Sequence, residues 1–400
     1  MAPVEFICHS KQLDQLCRAS EGSIRSVPVA FPKMCKEILK RRGFGGIIGA
    51  LAGNGAAADL TELVNRNLLR RQLRLPQIYT IPVVKSLYGL FMLLRARLQA
   101  ALVTSYFEEH PDARALVFNG YLMPDSITKV VGEALGRRAL VLENGFFPGT
   151  SQADTAGINF DSTLPRDPSF YAWVSRQISG ERPRELVSRP SKQKAAELVE
   201  TPPHYLFVPM QVPSDMQILK HSPWIGDMKH FYEVIYRLAE RQPELRFVVK
   251  EHPSFPLSIQ SHVCPHPRIM FANHNETRTL IQGADAVLTV NSTVGLEGLV
   301  LGKKVITLGN APYDVAGMVL RARNEDELHA AVAKVSIWSP DMSLVDTFIR
   351  YVHNVFLVSG DVRKGDAAIL SALAARANGL DEHSRLTAGF EEWRRAQNGT

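Results

Sequence analysis

Residues 284–309 read Ala284-Asp-Ala-Val-Leu-Thr-Val-Asn291-Ser292-Thr293-Val-Gly-Leu-Glu297-Gly-Leu-Val-Leu-Gly302-Lys-Lys-Val-Ile-Thr-Leu308-Gly309. The apolar run 287–290 is the kind of strand that a parallel sheet buries on both faces. Asn291, Ser292 and Thr293 follow as N-cap candidates for a helix over 294–301. Gly302 closes that helix and 305–308 return to the sheet. A helix that starts at the carboxyl end of a strand offers backbone N–H groups and a positive partial charge, so with two hydroxyls beside it the stretch suits a phosphate. Ser292 and Thr293 equally suit a plain helix cap, and the rest of the chain must decide between the two.

The same rhythm runs outward in both directions. Residues 205–209 read as a strand leading into Gln211-Val-Pro-Ser214-Asp215, 224–241 as a helix, 246–249 as a strand leading into Lys250-Glu-His252-Pro253, and 277–282 as a helix. Towards the N-terminus, 4–8 reads as a strand and 11–18 as a helix. Residues 115–118 read as a strand, 124–135 as a helix with Pro124 in its first turn, and 139–142 as a strand ending at Glu143-Asn144-Gly145. Repeated alternation in both halves predicts an α/β fold of two doubly wound, Rossmann-type domains facing a central cleft. The Pro- and charge-rich segment 179–201 reads as the linker. The expected division is 1–185, 202–340, and 341–400 as C-terminal helices packing back on the domains.

Between these blocks lie three less regular stretches. Gly43-Phe44-Gly45-Gly46 has neither a GKS/T ending nor a GxGxxG after a clear strand, so it reads as a loop or a place of tight packing. Residues 61–75 and 82–107 are long helical patterns, the first carrying Arg66, Arg70, Arg71 and Arg74. That basic face suits solvent, and it also suits an anionic membrane surface. Residues 146–168 read as a long irregular segment carrying Asp154, Asn159, Asp161, Arg166 and Asp167, too rich in aromatic and aliphatic residues for disorder.

Composition narrows the class. Four hundred residues, 45% hydrophobic and 22% charged, are those of a soluble two-domain enzyme, and a net charge of +6 is only a mild basic bias. Cys8, Cys17, Cys35 and Cys264 show neither CxxC spacing nor histidines at metal-ligand intervals, so no zinc site or disulfide framework is expected and a reducing cytoplasm fits. Glu5 and His9 interrupt the only apolar start, and Lys85, Arg95 and Arg97 interrupt the most lipid-like stretch, 81–103. Neither a signal peptide nor a transmembrane helix is expected. Nucleic-acid binding is disfavoured because the cations are not interleaved with stacking aromatics.

At the strand ends stand Glu143, Asp215, Lys250, His252 and the Asn291-Ser292-Thr293 cap. Two carboxylates can divide the work of glycosyl transfer with retention, one attacking the anomeric carbon and the other moving the proton. A turn or cap role would also explain each carboxylate, a turn role His252, and an ion pair with Glu251 would explain Lys250. The chain has no DxD motif at a strand end, which points to a metal-independent nucleotide-sugar donor and no cofactor. A donor with a single phosphate meets that description.

Several blocks taken together are more specific than any one. Glu143-Asn-Gly-Phe-Phe-Pro-Gly, Gly157-Ile-Asn159, Leu164-Pro-Arg166-Asp167, Val208-Pro-Met-Gln211-Val-Pro-Ser-Asp215-Met-Gln217, Lys250-Glu-His252-Pro253, Asn291-Ser-Thr-Val-Gly-Leu-Glu297 and Leu308-Gly-Asn-Ala-Pro-Tyr-Asp314 occur in this order. Over about residues 115–320 the chain resembles the bacterial capsule-synthesis protein family, which contains the retaining β-Kdo glycosyltransferases of capsule and O-antigen assembly. The resemblance implies a GT-B-like fold with an N-terminal acceptor-side domain and a C-terminal CMP-sugar-binding domain. It implies CMP-β-Kdo as donor and a saccharide acceptor, often lipid-linked, at the cytoplasmic face of the inner membrane. It makes Asp215 the nucleophile and Glu143 the acid/base or second carboxylate. It sets Lys250, His252 and Pro253 against the donor phosphate or the Kdo carboxylate, with Gln211 in the donor block. Asn291, Ser292 and Thr293 would hold the phosphate, and Glu297 the ribose. Ser214 departs from the family pattern, which often has a second acidic residue there, and this leaves Asp154 as a competing carboxylate. Two other readings are another donor, such as CMP-sialic acid, and a non-catalytic saccharide- or nucleotide-binding component of an assembly complex.

Overall fold

A computed structural model describes residues 4–53, 59–183, 198–253 and 258–398. Most of the expected linker falls on 184–197, outside the described residues. The first stretch of chain forms β1 (Phe6–Cys8), α1 (Asp14–Ala19), β2 (Ile24–Ser26), α2 (Phe31–Ala52), α3 (Thr61–Arg74), α4 (Pro76–Tyr79), α5 (Pro82–Glu109), β3 (Arg114–Phe118), α6 (Asp125–Ala134), β4 (Ala139–Asn144) and β5 (Thr150–Asp154). The middle forms α7 (Pro168–Val174), β6 (Leu206–Pro209), α8 (Met216–His221), α9 (Met228–Arg241), β7 (Phe247–Lys250), β8 (Ile269–Phe271), α10 (Thr277–Gly283), β9 (Ala286–Thr289), α11 (Thr293–Val300), β10 (Lys304–Thr307), β11 (Leu320–Arg321), α12 (Glu325–Ala333) and α13 (Met342–Tyr351). β12 (Val358–Ser359), α14 (Ile369–Ala377) and α15 (Glu382–Asn398) complete it.

Two units result. One joins Met1–Thr163 to Val355–Thr400 and the other is Leu164–Asn354. This differs from the expected division in two places, for reasons of packing. Residues after 163 belong with the second unit because the Phe170 and Tyr171 rings of α7 lie 5.0 and 6.0 Å from Tyr351 of α13. The segment from 355 belongs with the first unit because β12 pairs with β5 and Arg376 of α14 donates to the Ala153 carbonyl.

The second unit is a six-stranded sheet in the order β11-β10-β9-β6-β7-β8, parallel throughout. Counted from β6, this is the Rossmann order 3-2-1-4-5-6. Every residue of β6, β7 and β9 is buried, as apolar runs without alternation require when helices cover both faces. α9 covers one face with Phe231, Val234, Ile235 and Leu238, and starts where the Asp227 carboxylate accepts from the His230 N–H at 2.8 Å.

The first sheet runs β12-β5-β4-β3-β1-β2, parallel from β2 to β4, with β5 and β12 antiparallel at the far edge. Side chains alternate across it. Ile7, Ala115 and Ala139 enter one core with α2, α3, α5 and α6, while Phe6, Cys8, Leu116 and Leu140 enter another with α14. The glycine run expected as a loop instead lies within α2, where Gly43 (φ +66°) breaks the helix into two at a kink that a side chain would strain. Among the described residues one helix, α5, is long and apolar enough to cross a membrane by length and composition, with a mean hydropathy of 1.2. Half of that stretch is buried in its own unit.

Candidate functional site

In an open α/β sheet, neighbouring strands whose connections depart to opposite sides leave a crevice at their carboxyl ends. In the second unit this switch point lies between β6 and β9. Gln211 follows β6 and Asn291 follows β9, and both are buried. Gln211 Nε2 donates to Asn291 Oδ1 at 2.9 Å, Gln211 Oε1 accepts from the Asn291 N–H at 3.2 Å, and Asn291 Nδ2 donates to the Gln217 carbonyl at 2.8 Å. Two sequence-predicted residues 80 positions apart thus lock the crevice floor to α8.

Asn291 is therefore not the cap of α11. Ser292 is, its hydroxyl accepting from the Val294 N–H at 3.2 Å, and Thr293 opens the helix with its side chain exposed. The Tyr313 hydroxyl donates to the Ser292 carbonyl from beneath. Burial, with the charges of Asp314 and Glu297 nearby, pushes that phenol far above its ordinary value, so it stays a donor. Gly295 is required there, since a Cβ would stand 2.1 Å from the Tyr313 oxygen. Glu297 is half-buried one turn into the helix.

Asp215 is exposed and caps α8, accepting from the Gln217 N–H at 2.9 Å. The amide network and the predicted nucleophile therefore meet on one residue, Gln217. His252 is half-buried and lines a small pocket with Met210, Gln211, Pro213 and Met228. Pro253 follows it, also half-buried.

Lys250 corrects the expectation. It neither pairs with Glu251 nor turns to the crevice. It is buried at the end of β7, and its ammonium donates to the Asn273 and Asn275 carbonyls at 2.8 and 2.5 Å. Burial lowers its pKa. Glu251 instead accepts from Asn273 Nδ2 at 2.7 Å and the Ile259 N–H at 2.6 Å.

In the first unit the switch point lies between β1 and β3, which places His9 and Ser10 beside Asn119. Glu143 is at the end of β4, next along. Its Oε2 accepts from Asn119 Nδ2 at 2.7 Å and its Oε1 from the Asn144 N–H at 2.9 Å. Asp125 stands at the start of α6, accepting from the Phe118 N–H at 2.7 Å. Burial pushes Asp125 up to about 7, helped by the Glu143 charge and opposed by the Phe118 amide and the Ser10 hydroxyl. His9 is wholly buried and held neutral, its pKa lowered to about 3 by burial and the Arg95 charge.

The Asp125 shift makes a prediction. With a native pKa near 7 and an ordinary one of 3.8, the folded state holds the proton that the unfolded state has lost. Stability therefore falls as pH rises across that window. Asp125→Asn, which still accepts from Phe118, is expected to flatten the fall in melting temperature between about pH 4 and 7; an unchanged slope would place the titration elsewhere.

Asp154, weighed as a competing carboxylate, is a loop organiser. It is wholly buried at the end of β5, one oxygen accepting from the Ala156 and Gly157 N–H groups at 2.8 and 3.2 Å and the other from the Thr163 N–H at 2.9 Å. Asn159 exchanges hydrogen bonds with Gln152 at 2.9 and 3.2 Å, and Arg166 donates to the Leu164 carbonyl at 3.4 Å. These three shape the segment around 154–166. Sequence reasoning passed over His9, Ser10, Asn119, Asp125 and Tyr313; of these, Asn119-Gly120 directly after a strand was a readable signal.

Two Rossmann-type units, each with polar side chains gathered at its own switch point, define a two-unit α/β protein. The chain belongs to the capsule polysaccharide biosynthesis protein family, whose pattern matches residues 184–362. It is 39% identical to Protein FixF of Sinorhizobium fredii (strain NBRC 101917 / NGR234), over 79% of this chain and 78% of that one. It is 24% identical to the capsule polysaccharide export protein KpsS of Escherichia coli, over 55% of this chain and 71% of that one. Among solved structures it is similar to the Thermosulfurimonas dismutans KpsC β-Kdo 2,4 transferase, at a TM-score of 0.43 and 19% identity, over 65% of this chain and 86% of that one.

Proposed function

We propose that this protein is a retaining glycosyltransferase of bacterial surface polysaccharide synthesis that transfers Kdo from CMP-β-Kdo to a saccharide acceptor. The observation that carries the proposal is the hydrogen-bonded run from Gln211 through Asn291 to Gln217, which ties an anion-accepting helix start to the helix that Asp215 caps. The donor phosphate rests on the first turn of α11 beside Ser292 and Thr293, with His252 as its cation and Glu297 for the ribose. The Asp215 carboxylate attacks the anomeric carbon, CMP departs with the bonding electrons, and a glycosyl-enzyme ester forms. A general base takes the proton of the acceptor hydroxyl, whose oxygen displaces Asp215, so two inversions retain the configuration. The reaction uses no metal. It takes place in the cytoplasm on a lipid-linked saccharide.

The test is incubation with CMP-Kdo and saccharide acceptors. CMP release matched by β-linked product is the expected result. Release from CMP-sialic acid alone would overturn the donor, and binding without turnover would overturn the catalytic assignment.

A further inference from the structure

The polar groups at both switch points stand at the carboxyl ends of strands. At the opposite end of the first sheet lies a cavity of about 560 Å³ that has no part in the proposed reaction. Its wall runs from Gly136-Arg137-Arg138, the turn between α6 and β4, to Thr155 and to the junction of α14 with α15. Because β5 runs antiparallel to β4, Thr155 arrives where β4 begins. All of these residues belong to the first unit, so the cavity is complete within it. The six residues of β4 set it roughly 15–20 Å from the crevice end of the sheet.

Positive charge gathers here without its counterpart. Of the acids nearby, Asp381 pairs with Arg376, and Glu133 lies 3.9 Å from Lys129. Arg114, at the start of β3, donates to the Ala377 carbonyl and to Asn378 Oδ1, the latter at 2.8 Å. Burial and the Arg138 charge lower the Arg114 pKa, so these two guanidinium groups stand close enough to repel. Among the described residues neither Arg137 nor Arg138 has an ion-pair partner, and Arg137 Nε is shut off from water without an acceptor. The nearby end of α14 does not oppose an anion, because its carbonyls are already taken. Those of Ala374, Ala375 and Arg376 accept from the Asn378, Leu380 and Gly379 N–H groups, and that of Ala377 from Arg114.

We infer that this cavity is a second binding site, and that it takes a hydroxylated anion: a sugar bearing a carboxylate or a phosphate. Planar guanidinium groups match either anion with paired N–H donors. The Thr155 hydroxyl is exposed and unpaired, and Gly136 and Gly379 leave open space at the rim, so sugar hydroxyls find both a partner and room. A nucleobase finds no aromatic ring among the lining residues on which to stack. What binds at this end of the sheet does not react, and the inference holds whichever sugar donor is used.

The test is calorimetry on the intact chain with trigalacturonate, glucose 1-phosphate and the neutral maltotriose. An acidic probe is expected to bind and maltotriose to stay silent; the tighter of the two acids identifies carboxylate or phosphate as the group recognised. Arg137→Glu with Arg138→Glu is expected to weaken that binding by at least about tenfold. Arg137→Gln with Arg138→Gln should repeat the loss without reversing charge, and the melting temperature checks that both variants fold. Maltotriose binding as tightly as the acids would overturn the inference, as would silence from all three probes. Acid binding that survives both pairs of replacements would put the anion elsewhere on the chain and overturn it too.

Discussion

Asp215→Asn is expected to lower the rate of sugar transfer by roughly 10⁴-fold or more while leaving the protein folded and able to bind donor. Asn caps a helix about as well as Asp, and its amide oxygen still accepts from Gln217, so α8 and the Gln217–Asn291 link persist. What disappears is the carboxylate proposed to form the ester. Donor binding measured by calorimetry, alongside CMP release with acceptor present, separates the two effects. A variant that turns over at the parental rate would show that another carboxylate attacks.

The second large effect belongs to Arg376. Its guanidinium is 4% exposed, donates to the carbonyls of Ala153, Val355 and Phe356, and pairs with Asp381. Burial alone would raise Asp381, but Arg376 and the Ser384 hydroxyl hold it below the usual carboxylate range. Arg376→Ala leaves those carbonyls and a half-buried carboxylate without their donor, a loss of about 3–5 kcal/mol. Arg376→Lys rescues little of this, because a single ammonium cannot serve a fork of partners. The first unit should therefore melt earlier while the second keeps its transition. Two resolved steps in calorimetry are the expected readout, and a single unshifted transition would refute it.

The central strands were legible because each is an apolar run long enough to stand out. Residues 205–209, 246–249, 287–290 and 305–308 lie within a residue or so of β6, β7, β9 and β10, and 139–142 lie inside β4. β5 was not legible, since Thr150-Ser-Gln-Ala-Asp154 carries one aliphatic residue and owes its state to pairing with β4. The glycines of α2 look like a loop to any local rule, yet packing against α5 holds them in helix on either side of Gly43. At the site, motif spacing found Gln211 and Asn291 but gave no hint that they bond each other, because that pairing comes from strand order. Lys250 was misplaced for the same reason. At a strand end its ammonium reaches the loop after β8, whose backbone oxygens offer a nearer partner than any ligand. Asp125 and His9 were invisible because burial, not residue type, sets their chemistry.

The first unit regains the chain only at Val355, after the whole of the second has been made. On the ribosome, residues 164–354 emerge as one uninterrupted piece that can close its core at once. The earlier residues must wait, with the β5 edge unpaired and the face that α14 covers open to water, until Val358–Ser359 and Arg376 appear. The unit synthesised first is the one that matures last, and for that interval the nascent chain carries an open sheet edge for which folding chaperones would compete.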